Sequence, residues 1–358
     1  MKIEKLNLKN FRNYESLDLS FSNETHLFHG INAGGKTNVV EAIFLLTEGN
    51  SFRTEDHRRL IKEGAESAIV TGVFFNGENH KEISIELTSS GKRILVNGKK
   101  IAKLSELYLM NKTICIAPKD AFFFFQEPKF KRMYFNSVIA KDSFLYLQTL
   151  AEFKDVLSER NSMLKNEFID ENAIGILNEK FAKDTEIIIK ARTELVRKIN
   201  ERINNVLKEI TTNDLQVVLE YFPSIKVCEN FKENILQKLI ENFELDKLRK
   251  FTSFGPQKDD FKMLVNGFDI CEKCSNGQIK LITIAMKLTI LDIFNVIDEN
   301  PILILDDIFS ELDRKNSLKI VEYLKRYKQV FVTSTRGMKQ MVHKYLVKNN
   351  RVIKEDKL

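Results

Sequence analysis

"GINAGGKT", Gly30 to Thr37, matches the pattern G-x-x-x-x-G-K-[ST]. It sits where that pattern requires, after a short apolar strand run and at the opening of a helical one. Gly30, Gly34 and Gly35 are expected to let the backbone curl, so that its N–H groups point at phosphate oxygens. The N-terminus of the following helix adds partial positive charge there. Lys36 is expected to reach the β- and γ-phosphates of a nucleotide, and the Thr37 hydroxyl to bind Mg²⁺. Asn32, Ala33 and Asn38 complete the expected contact set on this loop.

A loop of this kind needs an acidic strand to serve it, and "PILILDDIFSELD", Pro301 to Asp313, supplies one. Ile302 to Leu305 are wholly apolar, as in a strand buried on both faces. The strand delivers Asp306, expected in the Mg²⁺ shell, and Asp307, expected to face the γ-phosphate and orient the attacking water. The distance from Thr37 to Ile302 is more than two-thirds of the 358-residue chain. Simple P-loop GTPases and kinases, and transporter ATPases, place far less sequence between the two halves. The site is therefore built around a large insertion.

The chain is long enough for one large or two moderate domains, with 43% apolar and 30% charged residues. Its 56 basic and 50 acidic residues leave a net charge of +6, compatible with a polyanionic partner. The N-terminal "MKIEKLNLKNF" alternates as a strand does and lacks the apolar core of a signal peptide. No run reaches the length of a membrane span, so a cytoplasmic protein without membrane contact is expected. Cys271 and Cys274 have metal or redox spacing but no second pair, and all four cysteines are expected to be reduced. Half or more of "FFFF", Phe122 to Phe125, is expected in the core.

Period-two alternation predicts strands in "KIEKLNLKNF", "YESLDLSF", "AIVTGVFF", "EISIEL", "KRILVNGKK" and "KTICIAP", with turns at Asn76-Gly77 and Asn97-Gly98. Near residue 128 the pattern becomes helical. Residues 176–210 predict one helix of about 50 Å at 1.5 Å per residue. Its cations (Lys190, Arg192, Arg197, Lys198, Arg202) alternate with glutamates and read as a solvated face. Strand-like "LQVVLEYF" and a helical stretch from Phe231 to Lys250 follow. After "FGPQKDDFKMLVNG" come a helix from Ile279 to Val296, a helix from Asn316 to Tyr327 and the strand "QVFVTST".

One further element carries chemistry. "CSNGQIKLITIAMKL" puts Ser275-Asn276-Gly277-Gln278 at a helix N-terminus, an anion site with no bulky side chain in the way. The arrangement resembles the signature motif of ABC ATPases, which completes the nucleotide site of a partner subunit. Together with "LKNFRNY" (8–14), "SFRT" (51–54), "SERNSMLK" (158–165), "FGPQKDDF" (254–261), "LILDDIFSELD" and a closing strand "VFVTSTR", the ordered set resembles the RecF family of bacterial recombination-mediator ATPases over nearly the whole chain. The SMC-type relatives share these head motifs but insert hundreds of coiled-coil residues. The chain departs from the family pattern at Gln257-Lys258, where His-Arg is usual, and at Ile279-Lys280, where Gln-Arg is usual. In "QEPKFKRMYF" it keeps Pro128, Lys131 and Arg132. Gln126 is the candidate for the Q-loop glutamine.

The resemblance implies an α/β, ABC-type ATPase head, with a mixed-sheet P-loop core, a β-rich N-terminal part and an inserted helical lobe. The head would comprise residues 1–127 and 251–358, and the lobe 128–250. It implies a head-to-tail homodimer that closes on ATP and Mg²⁺. Lys36, Thr37, Asp306 and Asp307 of one chain would face Ser275 and Gly277 of the other, with Gly30 and Gln278 also expected among the nucleotide-binding residues. Asp313 would lie near the dimer seam and Thr335 would sense the γ-phosphate. The family's role is to clamp double-stranded and gapped DNA and to help load the recombinase with the RecO and RecR mediators, with slow ATP hydrolysis timing release. Two alternatives stay open at this level: an ABC-type switch serving a nuclease or other partner, and a non-catalytic module that uses ATP only to dimerise.

Overall fold

Strand alternation governs the start of the chain. In the computed structural model, which describes residues 1–295, 301–337, 341 and 343–355, β1 (Lys2–Phe11) and β2 (Tyr14–Ser20) form an antiparallel pair. The apolar run of β3 (Thr25–His29) enters the phosphate loop, and α1 (Lys36–Glu48) leaves it. Gly49 stops α1 in the left-handed region (φ 68°), its N–H on the Leu45 carbonyl at 2.8 Å. A meander follows through β4 (Ser67–Phe75), β5 (His80–Thr88), β6 (Gly91–Val96) and β7 (Lys99–Lys100), then α2 (Ser105–Met110) and β8 (Thr113–Ile116). Asn97 and Gly98, both at positive φ, form the tight turn their sequence predicts.

The middle of the chain is mainly helical: α3 (Pro128–Ala140), α4 (Phe144–Met163), α5 (Glu171–Asn200) and α6 (Ile203–Ile210), then β9 (Val217–Phe222), α7 (Phe231–Glu241) and α8 (Phe243–Arg249). It continues through β10 (Asp260–Val265), β11 (Phe268–Asp269) and α9 (Ile270–Lys273). The chain then runs through α10 (Asn276–Asn295), β12 (Ile302–Asp306), α11 (Arg314–Leu324), β13 (Gln329–Ser334), β14 (His343–Lys348) and β15 (Arg351–Glu355). The expected end of α10 at Val296 lies outside the described residues.

The chain divides into two compact units, one of residues 1–121, 205–214 and 275–358, the other of 122–204 and 215–274. Within the first, one sheet is the antiparallel meander β2-β1-β4-β5-β6-β7, and the other has the order β15-β14-β3-β13-β12-β8. In the second sheet β14, β3, β13, β12 and β8 are parallel, so their carboxyl ends share one edge. Ligands of open α/β sheets bind along such an edge. All five residues of β12 are buried, which explains their unbroken apolarity. Val39, Ile43 and Leu46 of α1 join one core with Ile3, Leu8, Val70, Ile85 and Ile304 from both sheets.

The second unit packs Phe153, Phe181, Ile188, Phe231 and Ile235 around a separate core and carries the sheet β11-β10-β9. The expected lobe, 128–250, falls in this unit except for 205–214, and residues 251–274 cluster with it as well. Three expectations are corrected. The single helix over 176–210 is two, broken at Glu201-Arg202. Asn200 and Asn204 explain the break, because their amides pair with Leu219 and Val217 along β9, each donating and accepting at 2.8–2.9 Å. The helical stretch 231–250 is likewise two, divided at Asn242, whose side-chain amide donates to the Lys238 carbonyl at 2.8 Å. And "VFVTSTR" is not the closing strand, since β14 adds to β3 and β15 pairs with β14.

The cations of α5 divide as their neighbours dictate. Arg197 and Lys198 pair with Glu194, and Lys190 with Glu186, on the solvated face. Arg192 is instead buried on Asp259 at 2.7 Å. Phe123 and Phe124 are core, whereas Phe122 and Phe125 are exposed. All four cysteines are free, and burial with the neighbouring Asp269 carboxylate pushes the Cys271 thiol up to about 11, so it is protonated at neutral pH. No described helix is long and apolar enough to cross a membrane.

Asp184 on α5 is buried, and burial with the nearby Glu152 carboxylate pushes its carboxyl up to about 6. The folded protein then holds a proton that the unfolded chain has lost, so this group's contribution to stability falls as pH rises from its ordinary 3.8 to about 6. Asp184→Asn should therefore raise stability at pH 7 by about 1–3 kcal/mol. Paired melting curves should converge below pH 4, and a gap independent of pH would contradict this.

Candidate nucleotide-binding site

The loop between β3 and α1 is bent by three residues at positive φ: Gly30 (144°), Ala33 (63°) and Gly35 (107°). Gly34, expected to share that duty, is a glycine for another reason. A Cβ there would stand 3.1 Å from the carbonyls of both Ile31 and Val347. At Gly30 a Cβ would stand 2.3 Å from the Val347 carbonyl, so β14 leaves no room for a side chain. The Lys36 ammonium donates to the carbonyls of Gly30 (2.8 Å) and Ile31 (2.7 Å). Burial pushes it below its ordinary value, against the nearby Asp307 and Asp306 carboxylates.

The acids arrive from β12, one strand removed from β3, with β13 between them. The register sets Asp306 beside Thr333. Thr37 and Thr333 each donate a hydroxyl to Asp306 Oδ1 at 2.7 Å, and Thr333 Oγ1 accepts the Asp307 N–H at 2.9 Å. One threonine hydroxyl thus ties both acids together. Burial pushes the Asp306 carboxyl up, the two hydroxyls pull it down, and Asp307 pushes it up again. Asp307 sits in the left-handed region (φ 48°), a conformation costing a non-glycine residue about 1 kcal/mol or more. Its Oδ1 is buried without a hydrogen-bond partner among the described residues. An all-oxygen set of one hydroxyl and crowded carboxylates suits a hard divalent cation such as Mg²⁺.

A cleft of about 320 Å³ opens above these groups, lined by Asn32 to Asn38, Asp307, Thr333, Asn13 and Arg53. Asn13, Arg53 and Thr333 were not singled out in the sequence, although the first two lie in "LKNFRNY" and "SFRT". Glu41 of α1 explains both motifs. Its fully buried carboxylate accepts from Arg12 (2.6 and 2.9 Å), Arg53 (3.2 Å) and Ser51 (2.5 Å). Two chain segments are thereby clamped to the helix that follows the loop. Asn38 donates to Asn13 (2.7 Å) and accepts from Arg53 (2.9 Å), and Asn13 donates to Asn350 in the β14–β15 turn.

Ser275, Gly277 and Gln278 do not line this cleft. They form a reciprocal cap at the start of α10: the Ser275 N–H donates to Gln278 Oε1 (2.9 Å) and the Gln278 N–H to Ser275 Oγ (3.3 Å). Ser275 and Gly277 are exposed, and a Cβ at Gly277 would meet nothing within 4 Å among the described residues. Asp313 caps α11 through the Asn316 N–H at 2.9 Å. Thr335 lines a neighbouring pocket with Arg314 and Arg336 rather than the cleft, so the β13 threonine at the acids is Thr333. In the second unit, Lys131 and Arg132 are occupied internally, donating to the carbonyls of Phe261 (2.9 Å) and Asp259 (2.7 Å). Gln126 is exposed there.

Comparison with known proteins gives a consistent result. A family described as the RecF/RecN/SMC N terminal domain matches residues 2–357. DNA replication and repair protein RecF of Alkaliphilus oremlandii is 33% identical over 342 residues, 94% of this chain and 93% of that protein. RecF of Clostridium acetobutylicum is 30% identical over 359 residues, 99% and 98% of the two chains. A solved structure of the recombination mediator protein RecF-ATP in the RecFOR pathway is 30% identical with a TM-score of 0.87, covering 99% of this chain and 97% of that one. An Smc head bound to the C-winged helix domain of ScpA, at 16% identity and TM-score 0.62, shares the fold.

Proposed function

Since the chain belongs to the RecF family of DNA replication and repair proteins, an ABC-type ATPase family, we propose that it is a Mg²⁺-dependent ATPase whose ATP-bound homodimer clamps DNA. The observation that carries this reading is the pair of carboxylates beneath the phosphate loop, tied by Thr333, with Asp307 Oδ1 buried at the cleft and unpartnered among the described residues. The N–H groups from Ala33 to Asn38 receive the phosphates, and Lys36 exchanges its loop carbonyls for the β- and γ-phosphates. Thr37 and Asp306 would hold Mg²⁺, which when bound neutralises charge on the phosphate oxygens. Asp307 orients the attacking water.

Ser275 and Gly277 serve the partner's nucleotide rather than their own. Their exposure, and the room left at Gly277 among the described residues, support this. The γ-phosphate then becomes part of the dimer interface, so ATP favours closure and hydrolysis releases it. Turnover is slow because it times release. The substrate is gapped or double-stranded DNA, held by its phosphates without base reading. The partners are RecO and RecR in recombinase loading, and the setting is the cytoplasm.

Fluorescence anisotropy on labelled gapped duplex, with and without Mg-ATP, tests the reading. Wild type should bind more tightly with ATP and weaken with salt. Lys36→Ala should lose the ATP response, about tenfold in Kd or more. DNA binding that is absent, or indifferent to ATP while nucleotide still binds, would transfer the protein to the ABC-type switches that serve another partner.

A further inference from the structure

The segment Lys247–Lys258, "KLRKFTSFGPQK", belongs to the second unit and is held by two buried arginines. Arg160 of α4, fully buried, donates through Nη1 to Asp246 (2.9 Å) and to the Thr252 hydroxyl (2.7 Å). Arg192 of α5 donates through Nη1 to the Pro256 carbonyl (2.8 Å) and to Asp259 (2.7 Å). Buried ion pairs add little stability over apolar packing of the same volume, but they can fix one conformation among several. Here they fix both ends of a loop that is buried at Thr252 and from Phe254 to Pro256 and exposed at Phe251 and Lys258.

The loop presents charge. Lys247, Arg249, Lys250 and Lys258 are all exposed, and none of the four is in an ion pair with a described residue. Lys190, Arg197 and Lys198 of α5, by contrast, are matched by Glu186, Glu194 and Glu201. The carbonyl end of α8 accounts for cations at 247 and 249 only. Lys250 lies beyond it, in the left-handed region (φ 59°) just past the helix end, where glycine is favoured. A lysine stands there in spite of the backbone. The Lys258 ammonium lies 5.1 Å over the Phe251 ring, which brings the far end of the loop back to its start. Leu248 and Phe251 are exposed among these cations, but four cations without ion-pair partners match the repeated charges of a phosphate backbone.

We propose that this loop is a contact surface for the phosphate backbone of nucleic acid, an assignment that rests on the DNA-binding reading above. The test is the salt dependence of DNA affinity in Mg-ATP for the full chain, wild type against the combined Lys247→Gln, Arg249→Gln, Lys250→Gln and Lys258→Gln variant. Each lost phosphate contact should reduce the slope of log K against log[salt] by about 0.9, or roughly 3–4 for the four. Nucleotide binding, followed with a fluorescent ATP analogue, should persist. The single variant Lys250→Gly guards against misfolding, since it gives the left-handed position its preferred residue. Its Tm should equal or exceed that of wild type while its slope falls by about 0.9. If wild type binds no DNA, the functional reading fails and this inference with it. If wild type binds and both variants keep its slope, the surface assignment alone is overturned. An unchanged slope accompanied by loss of an acidic protein partner overturns it equally.

Discussion

Asp307→Asn is expected to slow ATP turnover by about 10²–10³-fold while leaving ATP-dependent DNA binding intact or longer-lived. The substitution is mild where the backbone is demanding. Asp307 sits at φ 48°, a region that asparagine tolerates better than most residues. Its N–H keeps the Thr333 hydroxyl, so the acid strand and β13 stay tied. What is lost is the charge proposed to orient water. Asp307 is also one of the groups pushing the Asp306 carboxyl upward, so its neutralisation brings Asp306 back toward its ordinary value. The nucleotide and cation contacts should therefore survive. With hydrolysis slowed and closure unimpaired, the dimer accumulates on DNA, visible as slower dissociation in anisotropy chases at saturating Mg-ATP. Wild-type turnover in this variant would move the water-orienting role to another group.

How much of this was legible in the sequence depends on the range of the forces involved. The phosphate loop, the apolar strand ending in two acids and the capped α10 are local patterns, and each lies where its residues indicate. Thr37 and Asp306 sit far apart in sequence but meet at 2.7 Å, and the motif pairing foretold it. The β14–β15 hairpin was missed although its turn is signalled: Asn349 and Asn350 both sit at positive φ between alternating runs. Its role could not be read locally, because Val347 matters only where its carbonyl approaches Gly30 and Gly34. The breaks in the predicted helices have the same origin. Asn200 and Asn204 are tolerable within a helix until the edge of β9 competes for their amides. Arg12, Arg53 and Ser51 likewise acquire a purpose only through Glu41, a carboxylate whose burial no periodicity reveals.

Ser275→Arg should abolish ATP turnover, and the stronger expectation concerns its mixture with Lys36→Ala. Removing the Ser275 cap costs about 1 kcal/mol, too little to unfold α10, which is buried without a break from Ile279 to Leu291. The arginine would instead project from an exposed position into the space where a partner's γ-phosphate is proposed to sit. Neither homodimer should turn over ATP: one lacks its signature contact and the other its phosphate lysine. A heterodimer of the two has one ruined site, carrying both changes, and one intact site, carrying neither. An equimolar mixture should then recover roughly a quarter of wild-type turnover, since half the dimers are mixed and each holds one of two sites. Recovery demands that the two motifs act across the interface, because a site assembled within one chain stays broken in every combination. A mixture as inactive as its parts, with heterodimers demonstrated by cross-linking, would reject assembly across the interface. It would leave the exposure of Ser275 and the unfilled space at Gly277 to be explained by some other partner at the same helix end.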